Sequence, residues 1–438
     1  LSTQDVIDLF TSRSTQHIVD STASILPQLF PGISRLELSD RRAKCQEGQK
    51  GFDRADIAEN IVAVCSRSGR LLPLREPISL RVTAIVDDVE AKESESRAGT
   101  PAGDSDSDIK MLPVFLNTIS NAVDTTLKKS LELALCEAVK MCRSPTFARS
   151  FHCGSWLLAW PPQVVIAIKE LIFTQHVERA LQMSSGEAKK GSSPANNVPT
   201  AVSSEDKRKQ ALELILSCLQ DNIEALFSLK TRRTTSACDH FTIDAALVLT
   251  MHHKSIVNKL LLKVDSLSAD PNAALHSFEW LVQRRVYMIN PEYKPDAAKL
   301  AAAKAEEQAM LQQMTESERL QYLDDKKTNQ EAEKNGRSHF SFELDSDLET
   351  FVQNTGYMMN CHVGPASRQF GFEYLGDAPR MPITAGTLRA THTLFRAFHL
   401  GVGVNVTGLN SGTVAPATIG DIAASLGTHC HSTVCSQR

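Results

Sequence analysis

Apolar positions recur along most of this chain with a period near 3.6, and over a few short stretches with a period of two. The helical period is strongest over 112–141, where Leu116, Ile119, Val123, Leu127, Leu131, Leu135 and Val139 fall on one face. Pro145 interrupts it. Trp156-Leu157-Leu158-Ala159-Trp160-Pro161-Pro162 then leads into a second helix over 163–183. Further helices are predicted from Ser204 to 229, with Asp206 in the first turn, over 243–264, and over 273–286 after Pro271. A helical pattern over 1–30 (Val6, Ile7, Leu9, Phe10, then Ile25, Leu26, Leu29, Phe30) is stopped by Pro31-Gly32. Leu36-Glu37-Leu38 predicts a short strand. The apolar runs 60–65 and 70–74, joined by Ser66-Arg67-Ser68-Gly69, predict a β-hairpin with a glycine-containing turn. Strands are also predicted at 339–344, 356–363 and 368–374, and a helix over 388–400. Strands are thus expected only within 34–75 and 339–376, and 112–290 is expected to form packed antiparallel helices.

Three stretches break the periodicity. Residues 91–109 are acidic and rich in Ser, Asp and Gly, 184–204 are rich in Ser, Gly, Pro and Asn, and both predict surface insertions. Residues 294–336 are rich in Ala, Lys, Glu and Gln with sparse apolar positions (Leu300, Met310, Leu311, Met314, Leu320, Leu323). They suit a solvated helical insertion or a coiled-coil partner site.

Composition changes this picture little. A length of 438 residues suggests two or three domains, and 42% hydrophobic with 22% charged residues is globular usage. A net charge of −4 provides no global basic field, so nucleic acid is not an expected partner. No apolar run reaches the roughly 18 residues of a spanning helix, so no membrane partner is expected either. Ten dilute cysteines without a signal peptide suggest reduced cytosolic thiols, and the sequon at Asn405 carries little weight. The chain opens on Leu1 rather than Met, which points to a piece of a longer polypeptide.

Several clusters invite chemistry and have bland alternatives. Cys430 and Cys435 with His429 and His431 could ligate a metal or close a buried strand, and they lack the second pair of a zinc finger. His252-His253 could be ligands or a pair split between core edge and surface. Cys153-Gly154-Ser155-Trp156 faintly echoes a thiol-protease stretch without its second cysteine. Asp206-Lys207-Arg208-Lys209 could hold a small anion or be a solvated helix start.

The C-terminal seventy residues are more specific. The run Gly371-Phe372-Glu373-Tyr374-Leu375-Gly376-Asp377-Ala378-Pro379-Arg380-Met381-Pro382-Ile383-Thr384 resembles the "GYEYLG-x-x-PRLVIT" run of dynein heavy chains. In that family the run opens the first AAA+ module and lies by the adenine. Farther on, Leu409-Asn410-Ser411-Gly412-Thr413-Val414-Ala415-Pro416-Ala417-Thr418 and then Gly420-Asp421-Ile422-Ala423-Ala424-Ser425-Leu426-Gly427 resemble the family's "GPAGTGKTET" phosphate loop and "-KDLA-ALG" helix. Cys435-Ser436 is similar to its "NCS". Upstream, Trp160-Pro161-Pro162-Gln163-Val164-Val165 resembles the linker's "W-P-x-Q-V-V", Thr174 to Ala180 its "T-x-x-V-x-x-A", and Phe278 to Tyr287 its "FEWL-Q-R-YY". Leu1 to Val6 is similar to "LSNEELLEIL".

The resemblance implies a mainly α fold: a helical-bundle linker with short β-hairpins over 1–345, then the truncated start of an α/β AAA+ module over 346–438. It implies a mechanical linker and the start of the first ATPase module of a minus-end-directed microtubule motor. The alternative is a non-catalytic structural or assembly component of the axoneme. The implied cofactors are ATP and Mg²⁺, held around Phe372, Tyr374, Leu375, Gly376, Gly412, Thr413, Ala415 and Pro416. The last two stand where the family has its phosphate-binding lysine and its magnesium-binding Ser/Thr, so the loop is degenerate and ATP binding is doubtful. No catalytic residue or metal ligand is expected here, because no Walker B carboxylate is reached. The implied partners are the rest of the motor ring, microtubules through a domain outside these residues, and intermediate and light chains. The implied location is the cytoplasm and cytoskeleton, in a ciliary or flagellar axoneme.

Residues 91–109 and 184–204, and the flanks of 294–336, lack the apolar area to offset ordering costs of roughly 1–2 kcal/mol per residue. Limited proteolysis is therefore expected to cut there first. Earlier cutting within 112–142 would contradict this reading.

Overall fold

In a computed structural model, residues 26–40, 58–79, 111–142, 154–182, 204–232, 235–263, 275–290, 357–377, 380–407 and 414–433 are described. The predicted features at 1–25, 91–109, 184–203, 294–336 and 339–344 lie outside them. The chain is mainly helical, as expected, and its described residues form two small antiparallel sheets.

The longest helix, α1 (Met111–Cys142), buries the stripe that the sequence marks: Ile119, Val123, Leu127, Leu131, Leu135 and Val139. The one-turn α2 (Gly154–Ala159) drives Trp156 into this stripe, where its indole N–H donates to the Ala134 carbonyl at 3.2 Å. Helix α3 (Pro162–Gln182) begins on a proline, which suits the first turn because its missing N–H would have no intrahelical acceptor. Every residue from Val164 to Thr174 is buried, so this helix is covered on all faces.

Helices α4 (Ser204–Lys230) and α5 (Ala237–Lys263) form an antiparallel hairpin. Lys230 pairs with Asp244 and Lys254 donates to Gln220, so contacts step down one helix as they step up the other. Around this hairpin a satellite core gathers Phe173, Val177, Leu181, Leu212, Ile256, Leu260 and Trp280. Arg208, expected on a solvated helix start, is instead fully buried one turn before Leu212 on the inward stripe.

The first sheet joins β1 (Arg35–Asp40), β2 (Ala58–Cys65) and β3 (Leu71–Ser79) in that order. Its predicted hairpin turns at Ser66–Gly69, with Gly69 at φ +92°. Leu72, Leu74 and Ile78 face the core and Pro73 and Arg75 face out, the period of two that identified the strand. Thr126 of α1 accepts the Arg75 amide at 3.1 Å and so ties sheet to helix.

The second sheet overturns part of the sequence reading. The helix predicted over 273–286 shrinks to α6 (Phe278–Leu281), and Arg284–Ile289 becomes β4, outside the ranges where strands were expected. β4 pairs residue for residue with β5 (Met358–Val363), from Arg284 opposite Val363 to Ile289 opposite Met358. A partner some seventy residues away in sequence overrides the local helical pattern, as Val286, Tyr287 and Ile289 favour a strand once one is offered. β6 (Ala366–Gln369) completes the sheet, ending well before the Tyr374 that was expected to close it. After Gln369 the chain leaves the sheet.

Two more helices follow. Helix α7 (Ala385–Leu400) starts on a capping box between Thr384 and Thr387. Helix α8 spans Val414–Ser425. It tolerates Pro416 because the residue falls in its first turn. It ends in a Schellman motif on Gly427, at φ +66°, with the Thr428 and Gly427 amides donating to the Ala423 and Ala424 carbonyls. No described helix is long and apolar enough to cross a membrane.

Gly427 has a second constraint: a Cβ there would lie 2.1 Å from the Gly371 carbonyl oxygen. Gly427→Ala is expected to lower the midpoint of urea unfolding, costing about 1–2 kcal/mol or more. Gly403→Ala, at an exposed site with nothing within 4 Å, is the control and should leave the midpoint unmoved.

Candidate functional site

Residues 371–377 run as an extended segment held from three sides. Toward α8, the Gly371 amide donates to the Leu426 carbonyl at 2.8 Å and the Glu373 amide to the Gly427 carbonyl at 3.2 Å. The Glu373 carboxylate in turn accepts the His429 amide at 2.5 Å. Toward α3, the Gln163 side chain brackets the segment as a strand would. It donates to the Glu373 carbonyl at 2.9 Å and accepts the Leu375 amide at 3.2 Å. Toward the first sheet, Gly32 lies so close that a Cβ would sit 2.0 Å from the Tyr374 carbonyl oxygen.

Beneath the segment lies a buried charge cluster. Glu170 of α3 receives the Arg284 guanidinium of β4 on one carboxylate oxygen and faces His253 of α5 at 3.5 Å on the other. His253 stacks on Phe173 with ring centres 3.7 Å apart and planes 5° from parallel. Burial alone would raise the Glu170 pKa, but Arg284 and then His253 hold the carboxyl well below its usual range. Burial lowers the His253 pKa despite Glu170, so its ring is neutral at pH 7 and the charge pair is Glu170–Arg284. Burial also pulls the neighbouring Lys169 down to about 8. Farther along α3, Glu178 accepts from the Tyr287 hydroxyl and from the Trp280 indole at 3.2 Å, which fixes α6 and β4 together on the helix.

Two adjoining clefts of about 550 and 530 Å³ share Glu170, Arg284 and Ser425. The first opens between Met381–Ile383, α7 at Thr387 and Thr391, and α8 at Thr418 and Asp421, with His252 at its edge. The second lies between Gln163 and Ile166 of α3, Phe370, Leu375, Gly376 and Arg380. Arg380 donates to Asp421 at 2.6 Å, and the Met381 amide donates to the same carboxylate at 3.0 Å.

The structure gathers some of the sequence-predicted residues and separates others. Leu375 and Gly376 line the second cleft. Phe372 lines neither; it packs edge-on to Phe370 at 5.4 Å, with the Lys128 ammonium 5.3 Å from its ring centre. Tyr374 is buried, and burial and then the nearby Asp377 push its hydroxyl pKa up. Ala415 is half-buried and Pro416 exposed on the first turn of α8, and neither lines these two clefts. Gly412, Thr413 and Cys435 lie outside the described residues. His252-His253 divides, His253 entering the core and His252 facing the first cleft. Cys430 is exposed, and among the described residues no group of three His, Cys, Asp or Glu side chains is arranged to hold a metal ion.

Periodicity did not flag Glu170, Arg284 or Asp421. The available signal was Lys169-Glu170 inside the apolar run from Val164 to Phe173, because a charge in such a run must find a partner.

The residues of the described loop flank do not fit the triphosphate end of a magnesium nucleotide. The first turn of α8 offers Val414, Ala415, Pro416 and Ala417, with no cation and no hydroxyl. The Thr418 hydroxyl, one turn into α8, donates to the Val414 carbonyl at 2.8 Å.

The histidines make stability depend on pH. Burial holds the His252 pKa down to about 4, against an unperturbed value of about 6.5. Between these values the unfolded chain binds a proton that the folded chain does not, so this contribution to stability rises with pH. Asp124, raised to about 6 mainly by burial, acts in the opposite sense. His252→Gln is expected to flatten the slope of unfolding free energy between pH 4.5 and 6.5 by up to about 1.4 kcal/mol per pH unit. Urea titrations across that range measure it, and an unchanged slope would refute the assignment.

No protein-family model matches the chain. It is 23% identical over 283 residues to "Dynein axonemal heavy chain 3" of Homo sapiens, covering 64% of this chain and 4% of that protein. It is 27% identical over 169 residues to "Dynein axonemal heavy chain 1" of Rattus norvegicus, covering 38% of this chain and 3% of that protein. The chain thus spans a few per cent of the length of these relatives, and it is related at low identity to axonemal dynein heavy chains.

Proposed function

We propose that this chain is a motor-related dynein segment in which residues 1–345 are the C-terminal part of a linker and 346–438 begin the first AAA+ module. The observation that carries the reading is the bracing of the 371–377 segment between Gln163 of the helical region and the C-terminus of α8. Such bracing suits a lever whose seat meets the nucleotide module. Stiffness for the lever comes from α1, α3, α4 and α5, whose apolar faces pack into continuous cores. On this reading the chain assembles with the rest of a motor ring and with intermediate and light chains. It moves on microtubules through a domain outside these residues, in a cytoskeletal, axonemal setting.

A second reading has its own support. Ala415 and Pro416 remove the lysine cation, the magnesium-binding hydroxyl and one backbone N–H from the start of α8. They favour a non-catalytic structural or assembly component of the axoneme with an inactive first ATP site. In both readings this module binds ATP weakly. Each lost charge-assisted contact costs on the order of 1.5–3 kcal/mol, so two weaken binding by roughly a hundredfold or more.

Titration of fluorescent ATP with Mg²⁺ into the purified chain is expected to show no saturation at micromolar concentrations. Ala415→Lys with Pro416→Thr should restore measurable affinity. Micromolar binding by the unmodified chain would show that the loop is placed wrongly, and no gain in the double variant would count against the nucleotide-module reading.

A further inference from the structure

Helix α5 packs one face on α3 and α4 and turns the opposite face outward. On that outer face Phe241, Val248, Ser255 and Leu262 recur every seven positions, and Asp244 and Met251 follow the first two by three. All six are exposed or half-buried. Phe241 is 40%, Met251 54% and Leu262 86% exposed, so three large apolar side chains lie bare along one stripe. Steps of three and four are the spacing at which one helix seats another. Phe227 of α4 is also exposed and adds to the stripe about level with Val248. It lies there because it falls between the two cross-links of the hairpin, Lys230 with Asp244 and Gln220 with Lys254.

The charges along the stripe select its occupant. Asp244 stands near one end and Lys259 near the other. Lys259 is exposed and has no ion-pair partner among the described residues, and Asp244 keeps half of its side chain exposed beside Lys230. A second copy of the helix laid antiparallel, with the two-fold axis between Met251 and His252, sets Phe241 opposite the second copy's Leu262. The same placement sets Asp244 opposite the second copy's Lys259 and brings both Met251 side chains to the axis. A parallel copy would instead set Asp244 on Asp244 and Lys259 on Lys259, which repel.

We propose that two copies of this chain associate through the outer face of α5 as an antiparallel, two-fold pair. In such an interface every contact occurs twice, so one apolar pair and one ion pair close each end. The stripe from 241 to 262 is about 32 Å long, enough for continuous contact over six turns. A single helix pair is at the small end of stable interfaces, so the dimer is expected to form at micromolar concentrations. This inference does not depend on the chain being part of a motor.

The test is sedimentation equilibrium on the full chain from about 1 to 200 μM, with circular dichroism to confirm that each variant folds. The unmodified chain is expected to pass from monomer to dimer across this range. Asp244→Lys and Lys259→Glu should each weaken dimerisation by about tenfold, since both ion pairs become repulsive. Mixed in equal amounts, these two variants should form a heterodimer about as tight as the original, because each supplies the charge that the other lacks. That rescue separates a contact between copies from a loss of stability within one. Met251→Lys, which brings two cations to the axis, should weaken the dimer by about tenfold or more, and it decides the matter if Asp244→Lys disturbs the hairpin through Lys230. A chain that stays monomeric throughout, a dimer indifferent to these variants, or a mixture that fails to associate would overturn the proposal.

Discussion

A helix buried on every face has no surface on which to leave a charge, and α3 carries Glu170 in the middle of such a helix. The rest of the structure is arranged around the answer to that constraint. Arg284 neutralises the carboxylate from β4, and His253 approaches its other oxygen from α5. An unpartnered carboxylate at that depth costs several kcal/mol, so β4 cannot slide along α3 without losing its place. Thr174, one turn farther along α3, accepts the Val286 amide at 3.1 Å, and Glu178 holds Tyr287. Three successive turns of one helix thus specify where the strand lies.

From β4 the consequences pass outward. β5 and β6 build on its edge, and Gln369 delivers the chain to the segment that Gln163 and Gly427 hold. The close backbone approaches there require glycine at Gly32, Gly371 and Gly427, since a Cβ at any of them would meet a carbonyl. The clefts are what is left between surfaces fixed by these contacts. Their shared lining of Glu170, Arg284 and Ser425 shows that the charge cluster supports both.

The chemistry of the site is accordingly lopsided. The 371–377 segment is held at the Gly371, Glu373 and Leu375 amides and at the Glu373 carbonyl, whereas the first turn of α8 presents only apolar side chains and a proline. A proline in a first turn costs the helix little, so fold stability does not oppose Pro416 at this position.

Local pattern alone determined the helices whose apolar stripe is complete, such as Ile119 to Val139, and the hairpin around Gly69, because their periods and turn residues need no distant partner. It also carried the likeness to dynein heavy chains, which rests on ordered runs such as 371–384. It could not determine β4. Residues 284–286 satisfy a helical window until β5 supplies hydrogen bonds, so the choice belongs to a strand far away in sequence. Nor could it determine that Arg208 turns inward or that Glu170 finds Arg284, although it did offer the split of His252 and His253 between core and periphery. Side-chain charge is written in the sequence, but its neighbours are set by packing, and the physical meaning of a charge depends on its neighbours.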